Sequence, residues 1–91
     1  MPTTPRYRVQ VQAPAARSIR KLPRAAQESI GQRIATLAID PRPHGCVKLK
    51  ETDGLYRVRT GNYRIIYSIQ DDVLLVCILK VGDRKVIYGD I

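Results

Sequence analysis

The 91-residue chain has no tryptophan and no phenylalanine, a single histidine and two cysteines. Each scarcity removes a class of chemistry. His44 stands alone in Pro41-Arg42-Pro43-His44-Gly45, a loop-forming run. Neither a histidine-centred triad nor a histidine metal cluster can be assembled around it. Cys46 and Cys77 are far apart, with no Cys or His at ligand spacing, so no metal and no cofactor are expected. Cys77 falls in an apolar run and reads as a packing residue. No apolar run approaches the length of a membrane span, and the polar, Pro-rich start does not read as a secretion signal. A chain of this kind is expected in the cytoplasm, where a disulfide would be out of place.

What is present is basic charge and tyrosine. Hydrophobic residues make up 44% of the chain, enough to bury a core. The aromatic load is five tyrosines: Tyr7, Tyr56, Tyr63, Tyr67 and Tyr88. The net charge of +8 favours a polyanionic partner. Residues 1–53 carry ten Lys/Arg against four Asp/Glu, and residues 54–91 carry six against four. Much of the excess therefore lies ahead of the strand-rich half.

Residues 1–5 read as a loose tail, and 6–91 as one domain with no repeat and no internal linker. Tyr7, Val9 and Val11 alternate with Arg8, Gln10 and Gln12, which predicts a half-buried strand. Pro14 suits a helix start, and Ala15, Ile19 and Leu22 follow at helical spacing. Pro23 ends that helix and opens a second, whose stripe is Ala26, Ile30, Ile34 and Leu37. Asp40-Pro41 and Pro43 stop it. The two helices form a hairpin that needs a sheet to cover.

Three strands are expected at about 55–60, 63–70 and 73–81. Gly61-Asn62 suits a two-residue hairpin turn with glycine at positive φ. That turn sets Thr60 opposite Tyr63, Arg59 opposite Arg64, Val58 opposite Ile65 and Tyr56 opposite Tyr67. Tyr56, Val58, Ile65 and Tyr67 then share a core face, and Arg57, Arg59 and Arg64 share the other. A second two-residue turn at Asp71-Asp72 would add Leu74, Val76 and Ile78 to the core, and Leu75, Cys77 and Leu79 to the arginine face. The expected fold class is α+β: an antiparallel sheet packed on one face by an amino-terminal helical hairpin, in the order β-α-α-β-β-β.

Arg59 opposite Arg64 is unfavourable for a sheet, and Arg57 stands only about 6–7 Å along the strand. Two readings fit. The arginines splay into water or pair with the aspartates near the turns, or they form an anion site. Guanidinium stays protonated and presents a fork of donors that matches phosphate oxygens and the charge that builds up in phosphoryl transfer. On this reading, removing Arg59 or Arg64 leaves folding intact. Arg84 and Tyr88 are four residues apart, so an extended or helical segment sets both on one side. A tyrosine beside cations can exchange a proton.

Ile19-Arg20-Lys21-Leu22-Pro23, Asp40-Pro41-Arg42-Pro43, Lys48-Leu49-Lys50, Gly54-Leu55-Tyr56-Arg57-Val58-Arg59, Gly61-Asn62-Tyr63-Arg64-Ile65-Ile66-Tyr67 and Val81-Gly82-Asp83-Arg84 through Tyr88 come in an order that resembles the RelE/ParE toxin superfamily, its RelE branch above all. The resemblance runs over about residues 6–88. It implies a toxin of a type II toxin–antitoxin pair that enters the ribosomal A site and cleaves mRNA. The RNA's own 2′-hydroxyl attacks the adjacent phosphate without a metal, which inhibits translation. By position it makes Arg64, Arg84 and Tyr88 the catalytic group and Lys50, Arg57 and Arg59 RNA-binding residues. It also implies an acidic cognate antitoxin as the protein partner.

Two departures stand out. RelE-branch members often carry lysine where this chain has Arg57 and Arg59, and arginine is a poor proton carrier, so these two are cast as electrostatic clamps. Asp83 stands where a basic residue is common. The rival readings are a ParE-type inhibitor of DNA gyrase, sharing fold and charge, and a non-catalytic RNA- or ribosome-binding module.

Overall fold

The computed structural model describes residues 6–83. The expected residues 1–5 tail, and with it Arg84 and Tyr88, lie outside the described residues. Alternation at the start builds β1 (Arg8–Val11), with Tyr7 and Val9 turned to the core. Pro14 sits in the first turn of α1 (Ala13–Arg20), which buries Ala15 completely. Pro23 caps α2 (Arg24–Ile39), whose Ile30 and Leu37 are fully buried. Gln27 of α2 donates from Nε2 to the Leu22 and Arg20 carbonyls at 2.9 and 3.3 Å, satisfying orphan acceptors where α1 ends.

The strands are β2 (Val47–Lys48), β3 (Leu55–Thr60), β4 (Tyr63–Gln70) and β5 (Leu75–Asp83), in the sheet order β1-β5-β4-β3-β2. The α+β class and the helical hairpin over one sheet face are as expected. The sheet is mixed rather than wholly antiparallel, because β1 runs parallel to β5 (Arg8 opposite Leu75 through Val11 opposite Ile78). The α1–α2 hairpin is the crossover that makes this possible. The short β2 is an addition, pairing Val47 with Arg57 and Lys48 with Tyr56.

The β3–β4 register is the expected one, Thr60 opposite Tyr63 through Tyr56 opposite Tyr67. Gly61 has φ +61°, the conformation its turn position demands. The second hairpin differs. Gln70 pairs with Leu75, so the loop holds Asp71 through Leu74 rather than two residues. Leu74 takes φ +52° and is exposed, so it leaves the expected core set while Val76 and Ile78 stay in it. Further along, Tyr67 pairs with Ile78 but Ile66 pairs with Lys80, so Leu79 is the extra residue of a β-bulge. The bulge reverses the alternation: Val81 joins Val76 and Ile78 in the core, and Lys80 takes a place on the opposite face.

Candidate nucleic-acid interface

The core is assembled beneath the helices from Val58, Ile65, Tyr67, Val76, Ile78 and Val81. The pleat therefore sends their neighbours to the opposite face of the sheet. Two rows of that face can be read from the pairing. One is Arg57–Ile66–Lys80, the other Arg59–Arg64–Gly82, each running across β3, β4 and β5. Neighbouring strands are about 4.8 Å apart, and the rows are separated by ~6–7 Å. Four cationic side chains thus stand in a compact block. Gly82, opposite Arg64, contributes no side chain to it.

The four are not equivalent. Arg59 is exposed, Arg57 and Lys80 are half-buried, and Arg64 is only 3% exposed. Burial of one guanidinium and exposure of the other separates the two opposed arginines in depth. It also means that Arg64, unlike Arg59, is part of the packed structure, so its removal is expected to cost stability where removal of Arg59 is not. Ile66, between Arg57 and Lys80, is 1% exposed and gives the block an apolar floor. The aliphatic stems of long cationic side chains pack well on such a floor.

Arg33 on α2 donates from Nη2 to the Arg59 carbonyl at 3.3 Å, and Ser29 Oγ lies 2.9 Å from Thr60 Oγ1. These contacts hold the far end of β3 against α2, beyond the two residues of β3 that β2 covers. Lys50 lies in the turn between β2 and β3, exposed, at the opposite end of β3 from Arg59. Leu75 and Cys77 share the cationic face as expected, but Leu79 sits in the bulge. Sequence reasoning missed Lys80. The available signal was the spacing of Ile78 and Val81, two core-type residues three apart in a strand of period two.

One expected source of neutralisation is engaged elsewhere. Asp71 accepts from Arg42 Nη1 and Nη2 at 3.1 and 2.9 Å, and from the Tyr7 hydroxyl at 2.6 Å. This fork sits at the β4–β5 loop, away from the Gly61-Asn62 turn. The hydrogen bonds from Arg42 and Tyr7 hold the Asp71 carboxyl down to about 2. Arg42 also donates from Nε to the Tyr56 hydroxyl at 3.2 Å and lies 5.3 Å from the Tyr56 ring centroid. Tyr56 stacks on Tyr67 at 5.9 Å between centroids, and Tyr67 donates to the Pro41 carbonyl at 2.7 Å. Burial pushes the Tyr67 phenol well above its ordinary value, so it serves as a neutral donor. Arg42 is thus a structural residue that ties the segment after α2 to β3 and to the β4–β5 loop.

Among the described residues, no three His, Cys, Asp or Glu side chains gather as metal ligands. No described helix is long and apolar enough to cross a membrane.

The family model for the ParE toxin of type II toxin–antitoxin systems (parDE) matches residues 7–88. The chain belongs to the RelE/ParE toxin superfamily. Curated relatives include Toxin RelE of Mycobacterium tuberculosis, 30% identical over 83 residues, covering 90% of this chain and 86% of that protein. Toxin RelG of the same organism is 32% identical, covering 90% and 95%. Among solved structures, RelE in the RelE–RelB complex of Pyrococcus horikoshii superposes with a TM-score of 0.77 at 31% identity, covering 90% of this chain and 97% of that one. The M. tuberculosis RelBE2 toxin–antitoxin complex gives 0.77 at 30% identity, covering 87% and 99%. Within the RelE/ParE superfamily, the chain is a type II toxin of the RelE family.

Proposed function

We propose that this RelE-family toxin is a ribosome-dependent endoribonuclease that cuts mRNA in the A site by metal-independent transesterification. The RNA 2′-oxygen forms a bond to phosphorus while the bond from phosphorus to the 5′-oxygen breaks. The products are a 2′,3′-cyclic phosphate and a 5′-hydroxyl. The observation that carries this reading is the cationic block: Arg59 and Arg64 in directly paired positions of β3 and β4, with Arg57 two residues along β3 on the same sheet face. A fold has no need of like charges held so close, whereas a phosphorane-like transition state gains from them.

In this reading Arg64 and Arg84 hold the scissile phosphate, and Arg57 and Arg59 clamp the backbone for in-line attack. Tyr88 is the general base for the 2′-hydroxyl, and Lys50 steadies RNA further along. An acidic antitoxin silences the toxin by covering the cationic face or displacing Tyr88. The half-buried Leu75 and Cys77 offer it apolar contact beside the charges. Support for such a partner comes from relatives solved together with RelB.

Induced expression followed by mapping of mRNA 5′ ends tests the reading. Codon-phased cuts on translated messages are expected, and Arg84→Ala and Tyr88→Phe abolish them. Intact mRNA with trapped gyrase would select the ParE-type activity whose family model the chain matches. Growth arrest persisting in the Arg64, Arg84 and Tyr88 triple variant would select a binding module.

A further inference from the structure

We propose that Lys80 is a catalytic residue of the cationic face, the proton donor to the departing 5′-oxygen. The role rests on the nuclease reading above and adds a step that it leaves unassigned. When the P–O5′ bond breaks, the oxygen carries the electron pair away and needs a proton or an equivalent charge. The guanidiniums of Arg57, Arg59 and Arg64 stabilise charge, but guanidinium as a class is a poor proton donor. Among the described residues that the pairing places in the block, Lys80 alone carries an ammonium, which can release a proton and recover one from water.

Its placement has a visible cause. Without the bulge, strict alternation along β5 would turn Lys80 toward the helices and Val81 outward. The extra residue Leu79 reverses this, so Lys80 pairs with Ile66 and Val81 is buried at 3% exposure. Lys80 then lies on the diagonal from Arg64, about 7–8 Å between backbones, and two strand spacings from Arg57, ~10 Å. Gly82 leaves the position beside Lys80 and opposite Arg64 without a side chain. A phosphate seated there lies over the buried Arg64, whose charge acts on it from beneath, and beside the half-buried Lys80 ammonium. The step balances. The 2′-hydroxyl gives its proton to the base and its oxygen bonds phosphorus; the 5′-oxygen leaves with the P–O pair and takes the Lys80 proton.

The test uses the full-length toxin on ribosomes programmed with mRNA that carries, at the A-site codon, either an ordinary linkage or a single 5′-bridging sulfur. Sulfur leaves without protonation. Lys80→Gln is expected to slow cutting of the ordinary linkage about 100-fold or more, and to leave the sulfur linkage close to the wild-type rate. Lys80→Arg keeps the charge and the stem, and is expected to be as slow as Lys80→Gln on oxygen. Urea midpoints matching wild type establish that both variants fold. Wild-type cutting of the ordinary linkage by Lys80→Arg, or an equal loss on both linkages in Lys80→Gln, overturns the proton-donor role while the nuclease reading stands. No cutting of either linkage by the wild-type toxin overturns the nuclease reading and this role with it.

Discussion

Arg59 and Arg64 face each other across one hairpin, yet burial gives them different tasks. Arg59→Ala removes an exposed charge from beside a like charge and is expected to change stability by no more than about 0.5 kcal/mol, with any change in the favourable direction. Arg64→Ala takes a side chain of 3% exposure out of packed surroundings, and is expected to cost ~1–3 kcal/mol. Urea denaturation of the two variants measures the difference. Equal midpoints would show that Arg64 contributes nothing to the fold. Sequence spacing placed both arginines on one face, because Gly61-Asn62 fixes the turn and the apolar residues fix the parity. It said nothing of depth, since relative burial depends on what covers each residue from elsewhere in the chain.

At the scale of elements, two joints decide where the strands lie. The first is the fork of Arg42 on Asp71, which links the segment after α2 to the β4–β5 loop. Arg42 sits in Pro41-Arg42-Pro43 and Asp71 in a loop 29 residues later. Nothing local marks them as partners, and so Asp71 read as a simple turn residue. Its carboxyl is held down from 3.8 to about 2, so the ionised form is the one that the fold favours. The stabilisation is complete above about pH 4 and is lost as pH falls toward 2. Asp71→Asn is therefore expected to unfold more readily than wild type at neutral pH, and the gap closes between pH 4 and 2. Denaturation midpoints across that range check it, and parallel acid limbs would show that the fork carries no stability. The exposure of both side chains, 44% and 53%, keeps the effect small. The second joint is the bulge at Leu79. It was hidden because a run of apolar residues, Val73 through Val81 broken only by Lys80, satisfies either parity.

For the whole molecule, charge is the governing quantity. A net +8 on 91 residues draws any polyanion, but only the cations that touch phosphate set the salt dependence. If the nuclease proposal holds, binding of the Tyr88→Phe toxin to single-stranded RNA is expected to weaken linearly in log affinity against log salt. Replacing Arg57 or Lys80 with glutamine is expected to reduce the slope by about 0.7 each, while Arg24→Gln on α2 leaves it unchanged. A slope that falls equally for all three would mean that the cationic face has no privileged role. The α+β class and the helical hairpin were legible because both helices announce themselves with proline boundaries and clear stripes. The parallel partner of β1 was not, since Arg8 and Leu75 meet only after the chain has closed a loop of 67 residues.

That long closure has a consequence for synthesis. β1 is made 67 residues ahead of its sheet neighbour β5, and Lys80 and Gly82 arrive with β5. Until then the apolar residues under the helices lack the neighbours that β5 supplies, and β4 has no partner on its outer side. A half-made chain therefore has neither the closed sheet nor the complete cationic face, and both appear together when β5 pairs.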